Sequence, residues 1–407
     1  MKIRRSVVLA AVPLLALAAC GGDDGKGGSS ASGSGKGGTF DVVFVSGLSG
    51  PIAPVGTSMQ AALEAAVESI NADGGINGQD VKLEALDGQG DPTKSVDVLQ
   101  KRLANGDKPD LVYAGVVSAE TLAMLPILAR EGIPSVASAF SPQTDDIKAY
   151  PLHHGIIPTA VDQILPVKGY AKDHHVKKMV VLATQDASGD ASVAGVRKTL
   201  SDTDVKVDEV RITPDTLDTA SAWEQVKAAH PDAVFVNALG ELNSRLFAGR
   251  VTAGATDIPL IAGTSTSGTG GGPAALVSSP DALKNVDMTV FAFSVDDGGK
   301  PDHVVGDFID GYRSRVDKPG ALIAPASAWD ALHMFKYAAE QAHSTEPQAM
   351  VDAINKGLHV DPGSFVIYPE LTYAKGHILP SVSQELFENI PASSAVGDDG
   401  RFVVDAG

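Results

Sequence analysis

Apolar runs of strand length alternate with amphipathic helical segments, in two successive series, and this alternation constrains the fold more than any other feature. The first series reads as a strand at 40–46, a helix around Met59, a strand around Val81, a helix at 93–105, a strand at 111–116, a helix at 119–131 and a strand at 133–139. The second reads as strands at 179–184, 205–212, 233–239 and 259–263, separated by helices at 191–200, 220–230 and 243–254. Near-continuous apolar strands between amphipathic helices predict parallel sheets covered on both faces. Two series in 407 residues predict an α/β protein with two doubly wound parallel-sheet lobes. Sheets of this kind bind ligands at the carboxyl ends of their strands, so the loops there are where function is expected.

The first helix shows how local the signals are. Met59, Ala62, Leu63, Ala66, Val67 and Ile70 share one face. Gly74-Gly75 ends it, Asn77-Gly78 is a turn signal, and Val81, Leu83 and Ala85 then alternate with polar residues as in a strand.

The N-terminus reads as a processing segment. Lys2, Arg4 and Arg5 precede an apolar run at 7–17, too short to span a bilayer comfortably. Leu17-Ala18-Ala19-Cys20 follows and holds the only cysteine of the chain, which excludes an internal disulfide. That stretch resembles the lipobox of bacterial lipoproteins, implying a signal peptide at 1–19 and lipidation of Cys20. Cleavage there removes three basic and no acidic residues and takes the formal charge from −18 to −21. Residues 20–38, rich in Gly and Ser, are expected to form a lipid-anchored flexible tether. The acidity disfavours nucleic acid and anionic membrane surfaces as direct partners.

Motifs for chemistry are weak. Gly263-Thr264-Ser265-Thr266-Ser267 ends in serine where a nucleophile elbow needs glycine. Gly268, Gly270 and Gly272 precede Pro273 where a dinucleotide loop needs a third glycine, and no P-loop lysine follows. His153-His154 and His174-His175 are adjacent pairs whose side chains diverge on a strand or helix, so neither makes an obvious metal site. No enzyme, metal or cofactor is expected.

The block from Val42 to Leu103 resembles the N-terminal lobe of the branched-chain amino acid (Leu/Ile/Val) binding proteins of ABC importers. The matching residues are Gly47 and Gly50, Ile70-Asn71, Gly74-Gly75-Ile76-Asn77-Gly78 and Asp91-Pro92, with Gly132-Ile133-Pro134 and Pro231-Asp232-Ala233-Val234-Phe235 further on. The resemblance implies a type I periplasmic binding fold. Its two lobes are joined by three crossings, near Pro158-Thr159, Phe293-Ser294 and Gly363. One lobe then takes 40–158 and 295–362, the other 159–294 and 363–407. It also implies a solute receptor, anchored outside the cytoplasm, that captures an amino acid or small carboxylate for ABC permease subunits. Ser118 stands where the family's serine holds the ligand carboxylate, and Ala139 and Ser141 match its backbone carbonyl and hydroxyl contacts. Phe140 offers an apolar wall, as does Trp329, although core packing suits the latter. Leu239, Ser188 and Ser265 complete the expected ligand-binding set. Three positions depart from the family. Val55 and Ser188 replace aromatics, and Ser265 stands near the acid that pairs with the ligand ammonium. Either Asp186 or Glu241 takes over that role, or the ligand lacks a free α-amino group.

Overall fold

The computed structural model describes residues 38–50, 52–159, 161–238, 241–268, 272–317 and 319–404. The leader, Cys20, nearly all of the tether and Leu239 lie outside the described residues.

The first sheet contains β1 (Thr39–Ser46), β2 (Asp80–Asp87), β3 (Leu111–Ala114), β4 (Ser135–Ala137) and β5 (His153–Gly155). Its order is β2-β1-β3-β4-β5, with every pair parallel. Both faces are covered, as the apolar runs require. Phe40, Val42 and Phe44 of β1 enter the core against α1 (Ala53–Ala72), whereas Val43 and Val45 point into the core shared with Leu99 of α2 (Pro92–Asn105) and with Met124 and Leu128 of α3 (Ser118–Glu131).

The second sheet repeats the plan after α4 (Pro166–Asp173). Strands β6 (Lys178–Thr184), β7 (Lys206–Ile212), β8 (Ala233–Val236), β9 (Leu260–Ala262) and β10 (Val286–Phe291) alternate with α5 (Ala187–Thr199), α6 (Ala220–Ala228) and α7 (Glu241–Thr252), and a short helix, α8 (Thr264–Ser267), follows β9. The parallel order is β7-β6-β8-β9-β10. The chain then supplies β11 (Val295–Asp296), α9 (His303–Arg313), α10 (Ile323–Ala342) and α11 (Pro347–Lys356). The last strands are β12 (Phe387–Pro391), antiparallel to β10 at the sheet edge, and β13 (Ala395–Val396) and β14 (Phe402–Val403), which form a small sheet with β11.

The Gly-rich turn after α1 is a packing device. Gly75 has φ +77°, and a Cβ on it would lie 2.0 Å from the Gln79 carbonyl oxygen. The Asn71 amide accepts from Val81 N–H at 2.7 Å and donates to Val81 C=O at 3.0 Å, clasping helix end to strand start. Asn77 Nδ2 donates to Ala339 C=O of α10.

The chain passes from the first core to the second between Ile157 and Ile164 and returns beyond β10. The segment after Gly363, where a third crossing was expected, packs on the first core. Phe365, Val366, Ile367 and Tyr368 are buried in the first core. Asp330 of α10 accepts from Val366 and Ile367 N–H at 2.7 and 2.8 Å, and Tyr368 Oη donates to Ile156 C=O. Ile378 N–H and His377 Nδ1 reach Asp145 on the first sheet's side. This segment is an irregular strap on the first core, and the chain rejoins the second sheet only at β12. Trp329 is likewise core, 2% exposed, edge-on to Phe308 and stacked on His333, so it walls no site.

Candidate functional site

In both sheets the strand order reverses beside the first strand of the series, between β1 and β3 and between β6 and β8. Loops leaving those strands diverge to opposite faces and open a crevice at their carboxyl ends, where such sheets take ligands.

On the first rim, Ser118 begins α3 and Ser141 follows β4. Ser141 N–H donates to Ser118 Oγ at 3.2 Å, so the two expected contacts are brought together directly. Ser141 Oγ in turn accepts from Gln143 N–H at 3.2 Å. Each hydroxyl thus accepts one backbone hydrogen bond and keeps its proton available to donate. The positive end of α3 adds to the attraction for an anion. Ala139 is buried beneath the rim, whereas Phe140, 38% exposed, and Val55, 39% exposed, present apolar surface beside it.

The loop after β1 is held by Asp87, at the end of β2. Its carboxylate accepts from Leu48, Ser49 and Gln89 N–H and from Ser49 Oγ. Burial raises its pKa, but these hydrogen bonds outweigh that and hold it below the usual carboxylate range. Beneath the rim Glu120 is fully buried, one oxygen accepting from Ser95 Oγ at 2.8 Å and the other without a partner among the described residues. Burial pushes its carboxyl upward.

The second rim carries Ser188, exposed in the first turn of α5, and Ser265, partly buried in α8. Ser265 N–H donates to Asn237 Oδ1 at 3.0 Å. Both expected acids already have partners. Asp186 caps α5, accepting from Thr184 Oγ1 at 2.6 Å and Gly189 N–H at 2.9 Å, and those bonds hold its pKa low, the threonine's foremost. Glu241 has a side chain 89% exposed and pairs with Arg245 one turn along α7.

Two residues on this rim escaped the sequence reading. One is Asn237. The other is the buried Gln163, which donates to Pro158 C=O at 2.8 Å and accepts from Thr264 Oγ1 at 2.6 Å, bolting the first crossing to the loop of Ser265. The only sequence signal for Asn237 is a polar residue ending an apolar strand, and Gln163 has none. His153 and His154 are buried in β5, bonded to Ser135 and Asn355. No group of three or more potential metal ligands occurs among the described residues.

Comparison with known proteins agrees with this architecture. Residues 39–377 match the family described as periplasmic binding protein. The Leu/Ile/Val-binding protein homolog 3 of Brucella melitensis is 26% identical over 382 residues, 89% of this chain and 92% of that protein. A leucine-, isoleucine-, valine-, threonine- and alanine-binding protein of Pseudomonas aeruginosa is 29% identical over 173 residues, 42% of this chain and 45% of its own length. Among solved structures, the branched-chain amino acid transporter substrate binding protein LivJ of Streptococcus pneumoniae, in complex with isoleucine, gives a TM-score of 0.65 at 19% identity, covering 89% of this chain and 97% of that one. An ABC transporter solute binding protein of R. palustris in complex with benzoate gives 0.66 at 18% identity, covering 91% and 98%. The chain belongs to the periplasmic binding protein family, with the type I fold of its branched-chain amino acid binding members.

Proposed function

We propose that this protein is the extracytoplasmic solute receptor of an ABC importer, held at the membrane by a lipid on Cys20, and that its two sheets with their helices are lobes that close on a small carboxylate-bearing solute. The observation that carries this reading is the Ser118–Ser141 pair, two hydroxyls each accepting one backbone hydrogen bond and each keeping a proton to donate, at the N-terminus of α3 and at the strand ends of a doubly wound sheet. Val55 and Phe140 supply apolar surface for the rest of the solute. Relatives named for leucine, isoleucine and valine, and fold neighbours holding isoleucine or benzoate, support a solute with one carboxylate and an apolar body. No helix among the described residues is long and apolar enough to cross a membrane.

Calorimetric titration with amino acids and small carboxylates tests the reading. Ser118→Ala removes a hydrogen bond to a charged group, about 1.5–3 kcal/mol, and should weaken binding roughly 10- to 100-fold. Unchanged affinity in that variant would overturn the site. Small-angle scattering at saturating ligand should show a smaller radius of gyration. Cys20→Ala should leave the fold intact and release the protein from membranes, and unchanged membrane retention would end the lipoprotein reading.

A further inference from the structure

Asn237 lies just beyond β8, on the loop where the second sheet reverses its strand order. Its Oδ1 accepts from Ser265 N–H at 3.0 Å. A donor facing one arm of the amide fixes its orientation, because that arm must be the oxygen and the other the NH₂. Nδ2 donates to no described residue, and Asn237 is only partly buried. The fold keeps room for this side chain. A Cβ at Gly263, on the next loop, would lie 2.6 Å from Asn237 Oδ1 and 2.8 Å from its Cγ, so any larger residue there would displace the amide.

On the second rim the Asn237 amide thus presents a donor near the position where an amino acid would need an acceptor. An ammonium carries only donors and, once enclosed, requires an opposing charge. Asp186 has its Oδ1 on the α5 cap, and Glu241 stands out in solvent beside Arg245. A hydroxyl or carbonyl oxygen in place of the ammonium would accept directly from the Asn237 amide. We propose that Asn237 is a specificity-determining residue whose free NH₂ selects 2-hydroxy or 2-oxo carboxylates with an apolar chain over the matching amino acids. This deepens, and rests on, the solute-receptor reading with the carboxylate at Ser118 and Ser141.

The test titrates the full-length protein with leucine, isoleucine and valine, each beside its 2-hydroxy and 2-oxo acid, following affinity by calorimetry and folding by circular dichroism. The wild type should bind the oxygenated acids at least tenfold more tightly. Asn237→Asp keeps an oxygen toward Ser265 N–H and turns the free arm into a charged acceptor of the same shape, so it should invert the order. A purely structural role for Asn237 would weaken all ligands alike without changing their order. Wild-type preference for the amino acids, or an unchanged order in Asn237→Asp, overturns the inference. If those amino acids still lose affinity in Ser118→Ala, the receptor reading survives that failure. No binding by any member of the panel overturns both.

Discussion

Lowering the pH from 8 to 5 should cost this protein stability through two adjacent histidines. His153 and His154 are 1% and 0% exposed in β5. Burial is the chief force lowering both, His153 to about 3, with His154 beside it contributing, and His154 to about 4. Their ordinary value is 6.5, so the unfolded chain binds protons that the folded chain refuses. Stability is therefore fully present above pH 6.5 and is lost progressively as the pH falls toward 4 and 3. At pH 5 each histidine accounts for about 2 kcal/mol of that loss, or about 4 kcal/mol for the pair. Urea denaturation at pH 8 and pH 5 measures it. The comparison is His153→Asn with His154→Gln, which retain the nitrogens bonded to Ser135 and Asn355 but do not titrate in this range. Any packing damage in that double variant shifts both pH values equally, whereas the titration predicts that its pH-dependent loss is about 4 kcal/mol smaller than in the wild type. Asp330, pushed up to about 7 by burial, acts with the opposite sign over the same window. It is common to both proteins and cancels in the comparison. An identical pH dependence in the two proteins would refute the reasoning.

Two substitutions test how the fold is held. Gly75→Ala places a methyl against the Gln79 carbonyl at positive φ and should destabilise by about 2 kcal/mol or more in urea, and a loss below about 0.5 kcal/mol would show that the turn relaxes freely. Arg250, fully buried, donates to the carbonyls of Ala282, Thr256 and Ile258. Arg250→Met strands the Ala282 and Ile258 carbonyls, while that of Thr256 keeps the Asn285 amide, and should cost about 2–5 kcal/mol by the same assay; a loss under about 1 kcal/mol would mean that water replaces the guanidinium.

The parallel cores were legible because burial on both faces leaves a signature in composition. Residues 40–45 are almost wholly apolar, as a strand must be when Phe44 faces α1 and Val45 faces α2 and α3. Strand β5 was not legible. His153, His154 and Gly155 have no strand character, yet they pair with β4, with Ser135 and Asn355 each engaging one imidazole nitrogen while His153 Nε2 and His154 Nδ1 have no partner among the described residues. The strap that follows Gly363 escaped for a related reason. It has no period to detect, and it is held by the Asp330 carboxylate and by Tyr368, whose partners lie 36 and 212 residues away.

The site divides along the same line. Ser118 and Ser141 are singled out by the family resemblance, periodicity supplying only the helix start and strand end they stand on, and their mutual hydrogen bond follows from β3 and β4 being neighbours. Asn237 and Ser265 also stand on neighbouring strands' loops, β8 and β9, yet what matters there is which amide arm meets which N–H. That depends on the empty volume at Gly263, a property of packing with no counterpart in residue spacing. Sequence reasoning can therefore report that an acid is missing at position 265, but only the orientation of Asn237 turns that absence into a preference for an acceptor. A glycine that reads as an ordinary strand terminator is what makes the orientation available. Hence a larger residue at 263 should erode the discrimination between hydroxy acids and amino acids before it affects the carboxylate end of the site.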